Sequence, residues 1–354
     1  MDITIAWRNI WRNPRRTIII MTAVIIGIWS MIFLTAFMRG MVVDMIENGI
    51  ATLTGDVKVY AAGFRSDPAL ENRIRNPGPL AEKLQANLPA SARMAGRIRV
   101  SAIARNARHS AGVTLVGIDP AEEAGVSFIG DGVAAGEMIR NGNPLDIVVG
   151  QALLEKFETR LGNKLILMSE DASHEMASRA FRIRGVFSAE LEATEKRFVF
   201  VSKSAARRML QISGDVSEIS IMLENHGRAE AVAENIAAAI DTEAYEVRTW
   251  KELKPMLKAY INIFDGYIIL WYLVVFVAMA FGIINTTLMA VFERMREFGL
   301  LKALGMRPWR ILRAVLTESL FILVIGAAAG NALAFSMVYA IGQRGIDLSM
   351  FAAG

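Results

Sequence analysis

Residues able to support acid–base, nucleophilic or metal chemistry are few and scattered in this chain of 354 amino acids. Its three histidines, His109, His174 and His226, have no second histidine or carboxylate at metal-ligand spacing on a shared helix face. The chain has no cysteine, which excludes a disulfide framework, a thiolate zinc or iron–sulfur site and a cysteine nucleophile. We therefore expect surface histidines rather than a metal site, and neither a catalytic residue nor a bound cofactor in this chain.

A second group of candidate residues is acidic. Glu190, Glu192 and Glu195 lie in the run from Ser188 to Arg197 and have the side chains of a general base. No nucleophile, base and orienting group accompany them, and the sequence has neither a G-x-S-x-G elbow nor a G-x-x-x-x-G-K-S/T phosphate loop. The run is better interpreted as a solvated hairpin, and ATP hydrolysis is not expected of this chain.

The most patterned charged segment is residues 293–313, between two apolar stretches. Phe298, Leu301 and Leu304 recur at helical spacing, and Gly305 suits a left-handed cap, so the pattern predicts a short helix ending there. Such a helix, held by two membrane spans, is a device for receiving force from a cytoplasmic partner. Its pattern alone is equally compatible with a solvated connection.

Three uncharged stretches of the sequence are long enough to be transmembrane helices, and two of them flank the 293–313 segment. The first, residues 17–38, is about 22 residues long and rises roughly 33 Å as a helix, enough for a hydrocarbon core of about 30 Å. It is too long for the apolar region of a signal peptide, and we interpret it as an uncleaved anchor. Hydrophobic residues make up 53% of the chain and charged ones 21%, which fits such a concentration of apolar segments. The predicted transmembrane helices are 17–39, 267–292 and 314–343.

Basic residues predict the orientation of these helices. Residues 1–16 carry four arginines against one aspartate (net +3), and residues 293–313 carry six basic against two acidic residues (net +4). Residues 40–266 carry 27 basic and 30 acidic residues (net −3). Because basic flanks stay in the cytoplasm, the N-terminus and the 293–313 segment are predicted to lie on the cytoplasmic side of the membrane, with residues 40–266 outside. No basic stripe with interleaved aromatics indicates nucleic-acid binding.

Two further features concern the membrane helices. Residues 1–16 have an amphipathic pattern expected to lie on the membrane surface, with a plain basic anchor as the alternative. In the third span, Gly326 and Gly330 form a G-x-x-x-G that lets another helix approach closely. Glu318 lies one turn inside the cytoplasmic end, where it can snorkel or pair with Arg313 or a neighbouring helix. The side chains assigned to the membrane surface are Trp7, Arg8, Trp11, Arg12, Arg15 and Arg16.

Residues 40–266 alternate strand-like and helical patterns and are too long for a linker. Their order predicts an α+β domain with a β-rich insert at about 91–200. Residues 344–354 would form an outside tail, so that either the natural protein ends outside or a fourth helix is missing. The predicted fold class is an α-helical membrane protein with a large extracytoplasmic α+β domain between the first and second transmembrane helices.

This arrangement resembles the FtsX-like ABC permeases, which include lipoprotein-releasing and macrolide-exporter types. The resemblance is carried by the segment from Glu293 to Gly305, with Glu318 and Gly326 after it, and by A-W-R-N-I-W-R-N at residues 6–13. The strand-like segments 147–150 and 181–187 are also similar to those proteins. The resemblance covers essentially the whole chain.

The resemblance implies a four-helix permease protomer that works as a dimer, with a second copy or a paralogue, on two ATPase subunits that bind ATP and Mg²⁺. It implies a porter-like part at about 50–90 and 200–250 around the insert. Residues 293–305 would form the coupling helix on the ATPase, and residues 6–16 the membrane-surface helix. The coupling residues implied are Glu293, Arg294, Arg296, Glu297, Gly299, Lys302 and Gly305.

The sequence thus predicts a mechanotransmission permease and not an enzyme, with lipoprotein extraction from the inner membrane as its leading function. A lipoprotein substrate or a periplasmic chaperone or adaptor is the expected outside partner. Efflux of a drug, peptide or toxin through a periplasmic adaptor is the alternative. Transmembrane signalling to a cell-wall hydrolase, without transport, is a third hypothesis.

Overall fold

The structure is a computed structural model that describes residues 11, 14–140, 143–189 and 191–344. The expected surface helix at residues 1–16 falls mostly outside the described residues, as do Glu190 and the tail 345–354. The chain divides into two compact units. Residues 1–44 and 259–354 form the first, which we call the helical unit, and residues 45–258 form the second, which we call the core unit.

The described residues form eleven α-helices and ten strands. In chain order they are α1 (Pro14–Ala51), β1 (Val57–Ala61), α2 (Gly78–Ala86), β2 (Arg93–Arg105), β3 (Ser110–Ile118), α3 (Pro120–Glu123), β4 (Ala135–Gly136), β5 (Asp146–Gly150), α4 (Gln151–Lys156), β6 (Lys164–Glu170), β7 (Met176–Phe187), α5 (Glu192–Arg197), β8 (Phe198–Ser202), α6 (Lys203–Leu210), β9 (Glu218–Met222), α7 (Ala229–Ala239), β10 (Tyr245–Thr249), α8 (Trp250–Leu253), α9 (Pro255–Glu293), α10 (Met295–Ala303) and α11 (Pro308–Arg344).

Three described helices, α1, α9 and α11, are long and apolar enough to cross a membrane. Each extends past its predicted span, since α1 continues from residue 39 to Ala51 and α9 begins at Pro255 rather than at residue 267. The predicted bounds stopped at the first charged residue, but a charge does not end a helix. In the extensions, Arg39 pairs with Asp265 at 3.1 Å, so these charges hold α1 beside α9.

The core unit contains a four-stranded antiparallel sheet in the order β10-β1-β9-β2. Helix α7 packs on β1 and β10, and α2 contacts α7. The apolar alternation of Val57 and Val59 places both side chains in the interior, where they are fully buried. Lys58, between them, is buried as well, because β1 is a central strand and neither of its faces meets solvent.

Six strands of the insert close into a barrel. Following the pairings, β2 joins β3, β3 joins β8, β8 joins β5, β5 joins β7, β7 joins β6, and β6 returns to β2. The closing contact pairs residues 103–105 of β2 with residues 166–168 of β6. Alternate residues of each strand fill the interior, among them Leu115, Leu167, Phe181 and Val199, all fully buried. The sequence predicted most of these strands but not the closure.

Strand β2 belongs to both sheets. Its first half, residues 93–97, pairs with β9 in the four-stranded sheet, and residues 98–105 pair with β3 in the barrel. The four-stranded sheet and the barrel are therefore joined by the continuous backbone of β2 at Arg97 and Ile98. Neither can rotate relative to the other without bending β2.

Two neighbouring residues of β6 test the barrel closure. Leu167 points into the barrel and is fully buried, whereas Ile166 lies on the outer face and is 38% exposed. We expect Leu167→Ala to cost about 2–5 kcal/mol of stability through lost burial and a cavity, and Ile166→Ala less than about 1 kcal/mol. Hydrogen exchange of the β6 and β7 amides in the full chain measures both. Equal costs would contradict the closed barrel.

Candidate functional site

The predicted short helix is present as α10, and its end has the geometry of a Schellman cap. The backbone N–H of Gly305 donates to the carbonyl of Lys302, and that of Met306 donates to the carbonyl of Leu301, both at 3.0 Å. Gly305 has a φ of 89°, in the left-handed region where a side chain is unfavourable. The cap ends α10 and lets α11 begin at Pro308.

An ionic junction joins α10 to the third long helix. Arg294 immediately precedes α10, and its guanidinium donates to Glu297 at 3.0 Å and to Glu318 of α11 at 3.2 Å. The same guanidinium lies over the ring of Phe298, 5.2 Å from its centroid. Glu318 is buried, so this charge-assisted bond is screened less than a surface pair. Glu297 of α10 and Glu318 of α11 are therefore linked through Arg294, and this link resists a displacement of α10 relative to α11.

The apolar side chains of α10 and its C-cap differ in exposure. Phe298 and Leu301 are half-buried, whereas Leu304 is 77% exposed and Leu300 is 64% exposed. The predicted apolar row of Phe298, Leu301 and Leu304 is therefore most exposed at its C-terminal end. The exposed face carries apolar side chains beside charged ones, and the predicted coupling residues on it are Arg296, Gly299 and Lys302. Glu293, the last residue of α9, is exposed as well.

The G-x-x-x-G of α11 lies against α1. A Cβ at Gly326 would come within 2.8 Å of Val24, and one at Gly330 within 3.0 Å of the backbone carbonyl of Ile25. Both positions therefore allow an approach that any side chain would block. Of the surface residues predicted near α1, Trp11 and Arg15 are exposed, and Arg16 lies in the first turn of the helix. The structure does not describe Trp7, Arg8 and Arg12.

The three histidines lie apart from one another in the described part of the chain. No three His, Asp or Glu side chains there are placed to hold a metal ion. The histidines are separate, as His174 contacts Glu170 at 2.7 Å, His226 contacts Asp56 at 2.8 Å, and His109 packs near Phe157.

The acidic run is not a solvated hairpin, and that prediction is wrong. Residues 192–197 form α5, and the carboxylate of Glu195 is buried. It accepts hydrogen bonds at 2.8 Å from the backbone N–H of Ala152 and of Ala189. The bond to Ala152 satisfies a free donor in the first turn of α4, so Glu195 is a helix-capping residue.

The core unit also holds a buried ionic cluster that was not predicted from the sequence. Arg97 on β2 is fully buried and makes a two-point bond to Glu123, at 2.6 and 2.8 Å. It also donates to the carbonyl of Leu53 at 2.7 Å and to Ser220 at 2.9 Å. Arg97 therefore ties the strand shared by the two sheets to β9, to α3 and to the turn that follows α1.

Lys58 and Glu218 extend this cluster. Their side chains are bonded at 2.7 Å and buried. Burial lowers the pKa of Lys58 to about 8, although Glu218 opposes the shift. Burial alone would raise the pKa of Glu218, but Lys58, Arg99 and Arg97 together hold it below its ordinary value. Charged residues inside otherwise apolar strands were the one sequence sign of this cluster, and the pattern does not say which partners they find.

Two family models match successive parts of the chain. Residues 17–239 match the family model of the MacB-like periplasmic core domain, and residues 269–353 match that of the FtsX-like permease C-terminal region. The chain is 22% identical over 236 residues to a lipoprotein-releasing system transmembrane protein, LolC, of Neisseria meningitidis, covering 65% of this chain and 57% of that protein.

A second type of relative is named as both an ATP-binding protein and a permease. The chain is 26% identical over 356 residues to the pyoverdine export ATP-binding/permease protein PvdT of Pseudomonas fluorescens, covering 93% of this chain and 50% of that protein. The periplasmic region of MacB from Actinobacillus actinomycetemcomitans is a structural match with 12% identity and a TM-score of 0.41, covering 61% of this chain and 98% of that one. The chain spans about half the length of the curated relatives it matches.

Glu123 and Glu122 are adjacent carboxylates that test the buried cluster. Glu123→Gln leaves the guanidinium of Arg97 buried without its counter-charge, and we expect it to destabilise the core unit by about 3–5 kcal/mol. The Glu122 side chain is 44% exposed, pairs with Lys203 and accepts from the backbone N–H of Gly96. Because glutamine keeps an acceptor oxygen and water reaches this position, Glu122→Gln should cost less than about 1 kcal/mol. Hydrogen exchange of the β1, β2 and β9 amides in the full chain measures both. A Glu123→Gln cost below about 1 kcal/mol would show that the cluster does not hold the sheets together.

Gly326 and Gly342 lie on the same helix and test its packing. Gly326→Leu should lower the thermal stability of the helical unit by about 1–3 kcal/mol, because the side chain meets Val24 of α1. A Cβ at Gly342 meets nothing within 4 Å, so Gly342→Leu is the matched control and should change little. The midpoint of thermal unfolding in detergent is compared for both. Equal shifts would mean that α11 does not pack on α1 through Gly326.

Proposed function

The chain belongs to the FtsX-like ABC permease family with a MacB-like periplasmic core domain, and on that premise we propose that it transmits the work of an ATPase through the membrane to its core unit. The observation that carries this proposal is the junction of Arg294 with Glu297 and Glu318, which joins the short helix α10 to a membrane-crossing helix. A helix held in this way moves its long neighbour when a partner moves it.

The proposed topology follows from charge. The 293–313 segment is the more basic side, so α10 lies in the cytoplasm together with the N-terminus, in a bacterial inner membrane. The core unit lies outside, between the first and second transmembrane helices. A chain with this arrangement receives force on one side of the membrane and delivers it on the other.

The proposed force-giving partner is a dimer of ATPase subunits that hold ATP and Mg²⁺. No phosphate-binding loop of the G-x-x-x-x-G-K-S/T kind occurs among these 354 residues, and in the proposal ATP is hydrolysed by the partner. The exposed face of α10, with Leu300, Leu304 and Lys302, offers the apolar and charged contacts of a protein interface. A second copy of this chain, or a paralogue, completes the proposed assembly.

For the substrate, we propose lipoprotein extraction from the inner membrane. The similarity to LolC supports this choice, since the name of that protein describes a transmembrane component of a lipoprotein-releasing system. Export of a small molecule through a periplasmic adaptor is the second candidate, supported by the similarity to PvdT over 93% of this chain. Signalling to a cell-wall hydrolase, the third candidate, would require neither a lipoprotein nor a small molecule as cargo.

Affinity purification of the tagged protein from membranes, with mass spectrometry, tests these proposals together. An ATPase with acylated lipoproteins would support extraction, and an ATPase with an adaptor would support export. An ATPase with a cell-wall hydrolase and no cargo would support signalling instead. Absence of an ATPase from gently solubilised membranes would overturn the coupling mechanism.

Two variants separate docking on α10 from transmission through it. Leu304→Ser should reduce ATPase recovery about tenfold or more, because it removes an exposed apolar contact. Arg294→Gln should retain the ATPase but lose most of the ATP-driven activity, since it breaks the bond to Glu318. Recovery of the ATPase and ATP-driven release of the copurified cargo are the two measurements.

The control for Leu304→Ser is Leu191→Ser, an exposed leucine of the core unit that should leave both measurements unchanged. Gly305→Ala, which strains the cap, should also retain the ATPase and lower ATP-driven activity, but by less than Arg294→Gln does. Wild-type activity in Arg294→Gln and Gly305→Ala, with normal membrane insertion, would refute the coupling role of this segment.

A further inference from the structure

Two arginines of the core unit share one aromatic ring. The guanidinium carbon of Arg99, on β2, lies 5.7 Å from the ring centroid of Phe198, and that of Arg197, at the end of α5, lies 5.6 Å from the same centroid. Phe198 begins β8 and is buried, so the ring is a fixed platform. Both guanidiniums therefore lie against the same ring despite their like charge, and Arg197 is exposed at the surface of the domain.

Lys254 adds a third cation. It is half-buried between α8 and the first residues of α9, and its pKa is lowered by burial and by the charges of Arg99 and Arg197. Those two guanidiniums therefore lie near enough to its ammonium group to act on it electrostatically. Lys254 precedes α9 by one residue. The three cations thus lie beside the edge of the core unit from which the chain continues into α9.

The cluster is only partly neutralised by acids within the described part of the chain. Neither Arg197 nor Lys254 has a carboxylate within ion-pair distance there, and the nearest carboxylate to Arg99 is Glu218, at 3.7 Å. That carboxylate is already bonded to Lys58 at 2.7 Å. Like charges held together raise the free energy of the fold, and an anion placed among them removes this cost.

We propose that Arg99, Arg197 and Lys254 form a binding site for a phosphate group, carried by a lipid headgroup or free in solution. Arginine presents a planar fork of donors that fits two oxygens of a phosphate, and lysine adds a point charge for a third. Phe198 holds both forks in place before the ligand arrives, which reduces the loss of side-chain entropy on binding. The site is separate from α10 and does not depend on ATP.

Binding to the full-length protein in a neutral detergent tests the site. The probes are inorganic phosphate, dihexanoyl phosphatidylglycerol and, as the zwitterionic comparison, dihexanoyl phosphatidylcholine, titrated at low salt by calorimetry. The variant is Arg197→Gln with Lys254→Gln. The control is Arg160→Gln with Lys164→Gln, which removes the same two charges from exposed positions of the same domain.

We expect the Arg197 and Lys254 double variant to bind phosphate or phosphatidylglycerol about tenfold more weakly or worse, and the control to remain within about twofold of the wild type. Binding of phosphatidylglycerol alone identifies a lipid headgroup, and binding of inorganic phosphate as tightly as the lipid identifies a free anion. Either result, with the variant sensitive and the control not, supports the site.

Equal weakening in the two double variants would show a diffuse charge effect and overturn the proposal. The same holds if no anionic probe binds, or if the variant binds as the wild type does. Without ligand, the Arg197 and Lys254 variant should unfold at a temperature no lower than the wild type, because it removes repulsion, and this separates lost binding from lost folding. No ATP or partner enters the measurement, so its failure leaves the proposed function untouched.

Discussion

A buried arginine must be paired, and the pairing of Arg97 with Glu123 constrains the whole core unit. Arg97 lies where β2 passes from the four-stranded sheet to the barrel, and it also holds the carbonyl of Leu53, just after α1. An unpaired guanidinium at full burial would cost several kcal/mol, so the sheet, the barrel and the turn at Leu53 must keep their relative positions around it. The core unit can therefore respond to a displacement as a stiff body.

The helical unit depends on a different constraint. Between membrane helices the hydrophobic effect gives little attraction, so close packing and polar bonds must hold them. Gly326 and Gly330 provide the close packing against α1, and the bond from Arg294 to Glu318 provides the polar contact beside α10. The glycine packing and the Arg294–Glu318 bond each involve only a few residues, so the rest of the long helices can remain apolar. In the proposed mechanism, force from α10 passes through these two contacts because they resist deformation.

In the proposed mechanism the two units have different roles. The short helix α10 offers an exposed face for a partner and a bonded face for transmission, while the core unit offers a rigid sheet and barrel. No described cluster of side chains is arranged for covalent chemistry, and Glu195, the best acidic candidate, serves to cap α4. The proposed role of this chain is to transmit a displacement. A displacement is transmitted only through contacts that are stiff enough not to absorb it.

The sequence by itself determined the features that arise from neighbours along the chain. The apolar stretches, the capped helix before Gly305 and most strands could be predicted, because helical and strand periodicity are local properties. Tertiary structure alone decided the closure of β6 on β2, the capping by Glu195 and the partners of Arg97. Each of these depends on packing that sequence neighbours do not define, since register and burial belong to the whole fold and a one-residue shift would exchange the two faces of a strand.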